Sequence, residues 1–134
     1  MVLSWPEGDR NAMPMLTVKY HPWKGEGSAV EQLAVDLRYV VAEALNCEDT
    51  GGQLTSKDIE VEPVMMPAGM RSKYDIHILI EANDYPSRKE NLGQRTEKIR
   101  AYVRTVLDQH CGHFDHKPKA WVWVRLAPGC WVEV

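Results

Sequence analysis

An α+β fold, a strand-helix-strand unit written twice around a four-stranded mixed sheet with both helices on one face, is predicted by three observations on this 134-residue chain. Two stretches with helical apolar period each lie between segments that alternate apolar and polar residues. Each helical stretch is headed by a Ser-x-x-Glu box, Ser28 to Glu31 and Ser87 to Glu90, the spacing that lets two side chains satisfy unpaired amides at a helix start. The two boxes lie 59 residues apart, and that shift lays Met15–Tyr20 on Tyr74–Leu79 and brings Ile59 close to Ala120. Right-handed crossovers then put both helices on the same side of the sheet.

Residues 1–13 contain Pro6, Gly8, Asp9, Arg10 and Asn11 without a hydrophobic period, and read as an extension ahead of a domain that spans 14–134. Met15–Tyr20 alternates, with Leu16, Val18 and Tyr20 on one face, and reads as the first strand. After a turn holding Pro22, Gly25 and Gly27, the first helix carries Val30, Leu33, Ala34, Leu37, Val40, Val41, Ala44 and Leu45 as one apolar stripe opposite Glu31, Asp36, Arg38 and Glu43. Asn46 to Gly52 ends it. Ile59–Met66 reads as the second strand, placed at an edge or a bulge by Pro63, which has no N–H to give a ladder. Tyr74, Ile76, Ile78 and Ile80 alternate with Asp75, His77, Leu79 and Glu81 as the third strand. The second helix runs from the Ser87 box to about His110 on Leu92, Ile99, Val103, Val106 and Leu107. Ala120–Leu126 is the fourth strand, and Trp131–Val134 is a candidate short one.

Composition bounds the function. A length of 134 residues with 44% hydrophobic content suits one domain with one core. Sixteen basic and nineteen acidic residues, a net charge of −3 and no basic block disfavour nucleic acid and anionic membranes as partners. Three cysteines, Cys47, Cys111 and Cys130, form neither a disulfide framework nor a zinc ribbon, and no apolar run is long enough to span a membrane or direct export, so a cytoplasmic location is expected.

With Val122, Val124 and Leu126 under the helices, the opposite face of the fourth strand carries Trp121, Trp123 and Arg125, alongside Asp75, His77 and Glu81 from the third and Glu60 and Glu62 from the second. Two outward indoles make a patch that a monomer rarely leaves in water. A homo-oligomer is expected; packing of the indoles on the extension or on the Trp131 segment is the alternative.

The repeated unit, with Met13-Pro14 directly ahead of the first strand, resembles the tautomerase superfamily, which includes macrophage migration inhibitory factor and 5-carboxymethyl-2-hydroxymuconate isomerase. The resemblance covers 14–134 and implies a homotrimer with sheets facing inward, an active site at the subunit boundary, and an amino-terminal proline as the catalytic base. Pro14 holds that place here. Lys24, ten residues after Pro14, matches the family's substrate-binding cation, and Trp121 and Trp123 match its aromatic wall. Where related enzymes carry a second arginine this chain has Asp58-Ile59-Glu60, which disfavours a diacid substrate and leaves Arg71 and Arg125 as replacements.

What the resemblance implies has a physical basis. A secondary amine in an apolar pocket is disfavoured in its charged form, so its pKa falls toward neutrality and it can move a proton alpha to a carbonyl. This is keto-enol tautomerisation of a small keto or enol carboxylic acid, and it needs no cofactor. It requires Pro14 to be a free amine, as after translation from Met13 and removal of that methionine; with residues 1–13 attached, Pro14 nitrogen is an amide and the mechanism has no base. Two other readings share the fold prediction: a trimeric binding protein without activity, and a ferredoxin-like dimeric binding domain, which interleaves the two halves of the sheet.

His110, Cys111, His113, Asp115 and His116 form a cluster of metal-ligand types, but no second such cluster accompanies it, and a polar loop with His110 at the negative end of a helix accounts for it without metal. Lys24-Gly25-Glu26-Gly27-Ser28 has neither phosphate-loop nor dinucleotide spacing, and nucleotide binding is set aside.

Overall fold

A computed structural model describes residues 14–21, 27–48, 53–67, 69, 72–111 and 118–128, without the side chains of 27–29, 110 and 111. The extension 1–13, Lys24, Arg71, His113, His116, Cys130 and the Trp131–Val134 segment lie outside the described residues.

The chain forms β1 (Met15–Tyr20), α1 (Gly27–Leu45), a 3-10 turn (Ser56–Asp58), β2 (Glu60–Met65), β3 (Ile76–Asn83), α2 (Pro86–Glu90), α3 (Leu92–Cys111) and β4 (Ala120–Ala127). The sheet order is β2-β1-β3-β4. β2 is parallel to β1, β4 is parallel to β3, and the two halves meet through the antiparallel pair β1 and β3. Each half therefore keeps its own strands adjacent, as the tautomerase resemblance implies and unlike the ferredoxin-like interleaving of the alternative reading. Pro63 lies on β2, an edge strand in this sheet, opposite Val18.

One face of the sheet and the helices enclose the core. Leu16, Val18, Ile76, Ile78 and Ile80 are inaccessible to solvent, and Val124 is buried beside them. From α1 come Val30, Leu33, Leu37, Val41 and Leu45, and from α3 come Ile99, Val103, Val106 and Leu107. Burial of each such side chain stabilises by about 1.5–3 kcal/mol. The helical periods read from sequence thus select the side chains that face the sheet, with Ala42 added and Val40 half-buried.

Local chemistry departs from expectation in three places. The second helix is broken at Asn91 into α2 and α3, and its start is capped at Tyr85 without a side-chain hydrogen bond, so Ser87 is not the cap. Pro86 explains the shift: its fixed φ suits the first helical position, and its missing N–H is one the helix leaves unpaired there. β3 begins at Ile76 instead of Tyr74, because Tyr74 N–H is taken by Ser72 Oγ at 3.1 Å. Finally, Leu16 and Val18 correspond in burial to Ile76 and Ile78, a shift of 60, one more than the helix boxes suggest. A strand shifted by one residue exchanges its faces, so this single position separates core from surface.

Candidate functional site

The unburied face of the sheet is built in three rows by the strand register. Glu60, Met15, Glu81 and Arg125 lie side by side; next come Glu62, Thr17, Leu79 and Trp123; then Val64, Lys19, His77 and Trp121. Side chains alternate along a strand, so all twelve share the side away from the helices. Trp123 is 60% exposed, the most open of the apolar residues there.

Pro14 stands at the first row's end of this face. It is buried directly ahead of β1, and its carbonyl accepts a 3.2 Å hydrogen bond from Glu60 N–H, which ties it to the start of β2. Arg125 lies in the row of Met15, and its guanidinium is ion-paired with Glu81. The charge of Arg125 is therefore compensated from its own sheet. Trp121 lies at the other end, beside His77 in the row of Lys19, five residues and about 16 Å along β1 from Pro14. Of the residues singled out from sequence, one chain thus brings Pro14 and Arg125 to one end, holds Trp123 midway and separates Trp121; Lys24 and Arg71 lie outside the described residues.

A second arrangement surrounds Trp121. The His77 ring stacks on the indole at 4.8 Å between centroids and 23° between planes. Its Nε2 is 3.0 Å from Ser72 Oγ, and its cross-strand neighbour is Lys19. Burial against these groups, with the nearby His21 and Lys19, holds the imidazole below its ordinary pKa, partly countered by a hydrogen bond involving the Tyr74 backbone. Sequence reading placed His77 on the outward face and missed this pairing; the signal was the parallel register, which sets residue 77 beside 121. Among the described residues, no three His, Cys, Asp or Glu side chains converge to hold a metal ion, and no helix is long and apolar enough to cross a membrane.

No protein-family model matches the chain, nor does any curated protein. Solved structures do. A macrophage migration inhibitory factor-like protein from Entamoeba histolytica superposes with a TM-score of 0.52 at 11% identity, over 87% of this chain and 90% of that one. A protein from the thermophilic fungus Aspergillus fumigatus also gives 0.52, at 15% identity over 87% and 76%. The fold is the tautomerase-like fold of macrophage migration inhibitory factor. In that frame Pro14 opens the first strand of the repeated unit, and the rows of Trp121, Trp123 and Arg125 form the sheet face opposite the helices. At this level of identity the likeness concerns the tautomerase-like fold alone.

Proposed function

We propose that this protein is a tautomerase- or isomerase-like enzyme that moves a proton on a small keto or enol carboxylic acid, with Pro14 as the base once the chain begins at that residue. The observation that carries the reading is the position of Pro14: buried, directly ahead of β1, and anchored by its carbonyl to β2. A secondary amine held in such a dry place is neutral more readily than in water, and it takes a proton from carbon alpha to a carbonyl.

Lys24 holds the substrate carboxylate in this reading, with Arg71 as the second cation. Because Trp121 is about 16 Å along the strand from Pro14, that indole reaches the proline only from a neighbouring copy, which makes the pocket a product of assembly. A homotrimer in the cytoplasm is the proposed form. A specific observation favours a second reading for the longer chain: Pro14 nitrogen is bonded to Met13 and Arg125 is neutralised by Glu81, so the chain with residues 1–13 attached is a binding scaffold without a base.

The test compares the full chain, a chain trimmed to start at Pro14, and the trimmed chain with Pro14→Ala, each assayed for enolisation of phenylpyruvate. Turnover is expected only from the trimmed protein, and Pro14→Ala lowers kcat by roughly 100-fold or more. A folded, trimmed protein without turnover overturns the enzymatic reading.

A further inference from the structure

A groove of about 600 Å³ lies between α3 and β4, on the helix side of the sheet and apart from Pro14. Its floor is apolar: Leu92, Val103 and Leu107 from the helix, Val122 from the strand. Tyr74, Pro118 and Ala120 also line it; Trp121 borders it from β4, while its indole stacks on His77 on the other face of the sheet. Three charged side chains line the rim. Glu97 and Arg100 neutralise each other through hydrogen bonds of 2.8 and 2.5 Å. Arg104, the third, has no hydrogen bond or ion pair to another described residue.

The volume is that of sites that hold small organic molecules, and a mostly apolar lining with few polar groups is their usual composition. The uncompensated charge fixes the class further, because a guanidinium beside apolar surface favours a carboxylate attached to an apolar body. We propose that this groove is a binding site for small amphipathic monocarboxylates, with Arg104 taking the carboxylate and the apolar floor of Leu92, Val103, Leu107 and Val122 taking the hydrophobic portion. The site is independent of the Pro14 reading, since it uses neither the amine nor Lys24.

The probe is 4-phenylbutyrate, with the uncharged 4-phenylbutanol as its match, titrated into the full chain by calorimetry. The carboxylate is expected to bind saturably and about tenfold more tightly than the alcohol, and Arg104→Gln to remove that difference while leaving the alcohol unchanged. Gly93 also lines the groove, and a Cβ built there meets nothing within 4 Å. Gly93→Leu therefore fills the mouth, and it adds a better helix former to α3; it is expected to abolish binding of both probes without lowering the unfolding midpoint. In a two-dimensional NMR titration, shifts at Tyr74, Val103, Arg104 and Val122 support the site. Equal affinity for acid and alcohol, binding unchanged in Arg104→Gln, or binding retained in a folded Gly93→Leu protein overturns it.

Discussion

Arg88 Nε donates a 2.8 Å hydrogen bond to the Leu45 carbonyl, joining α2 to the last residue of α1 across 43 positions of sequence. The arginine is 1% exposed and gives a further bond of 3.0 Å from Nη1 to the Asn83 carbonyl. Arg95 repeats the arrangement from α3, with Nη1 donating to the Ala44 and Asn46 carbonyls at 2.8 and 2.7 Å. A helix leaves its last carbonyls unpaired, and α1 has no basic residue in its final turn. The second half of the fold thus supplies the cap that the first half lacks.

Arg88→Met should therefore cost more than an ordinary surface change. It takes the Nε donor from the buried Leu45 carbonyl and one of two donors from the part-buried Asn83 carbonyl, which keeps Tyr85 N–H, a loss of about 3 kcal/mol in urea unfolding. Arg88→Lys should recover only part, because one ammonium cannot reproduce the forked geometry that reaches both carbonyls. A loss below about 1 kcal/mol for Arg88→Met would show that the contact is incidental.

His77 should make stability depend on pH. Burial, then His21 and Lys19, holds its folded pKa below the ordinary 6.5. Between 6.5 and that lower value the unfolded chain binds a proton and the folded chain does not, so the contribution is full above 6.5 and is lost as pH falls through the window. An NMR titration of the His77 ring should show the depressed value directly. Trp121→Ala uncovers the imidazole, so its pKa should move back up and the acid-side loss of stability should shrink; an unchanged titration would mean that the stacked indole contributes nothing to the desolvation.

The readable part of this fold was the part carried by hydrophobic period. Val30 to Leu45 and Leu92 to Leu107 reveal which helix face meets the sheet, and Ile76, Ile78 and Ile80 mark the strand that it covers. Strand order was not legible from the repetition alone, because an interleaved sheet uses the same two units; the order β2-β1-β3-β4 agrees with what the tautomerase resemblance implies. The helix break at Asn91 was hidden by a Ser87–Glu90 spacing that imitates a cap, and Pro86 outweighed it. The candidate site was legible as a face but not as a set of neighbours. Trp121, Trp123 and Arg125 alternate on one strand, yet their distances from Pro14 depend on a register that no local pattern encodes. The same holds for the His77–Trp121 stack and for the arginine caps, whose partners lie more than 40 residues away.

Adjacent residues on β3 provide a sharp check of the two faces. Ile78 is fully buried opposite Val18, at the junction of the two halves, whereas Leu79 lies on the outer face between Thr17 and Trp123. Ile78→Ala should cost about 3 kcal/mol through lost burial and a residual cavity. Leu79→Ala should cost less than about 1 kcal/mol in the isolated subunit. Equal costs measured at a concentration that keeps the subunits apart would mean that the faces are assigned wrongly.

Trp123→Glu should dissociate the proposed trimer. The indole is 60% exposed in the single chain, beside Leu79 and Thr17, which is apolar surface of the kind that assembly covers. A carboxylate introduced there has to be stripped of water in a subunit contact with no prepared partner, at a cost of several kcal/mol, whereas the same substitution at a surface that stays wet costs almost nothing. Tyr39 on α1 supplies that comparison, because it is also 60% exposed but lies on the helix side. Sedimentation at micromolar concentration should therefore find wild type and Tyr39→Glu at a multiple of 15.3 kDa and Trp123→Glu at 15.3 kDa. If wild type itself sediments as the monomer, the outer face has no sister chain and the subunit-boundary pocket loses its indole wall; if Tyr39→Glu dissociates instead, assembly proceeds through the helices and the sheet face is left for another partner.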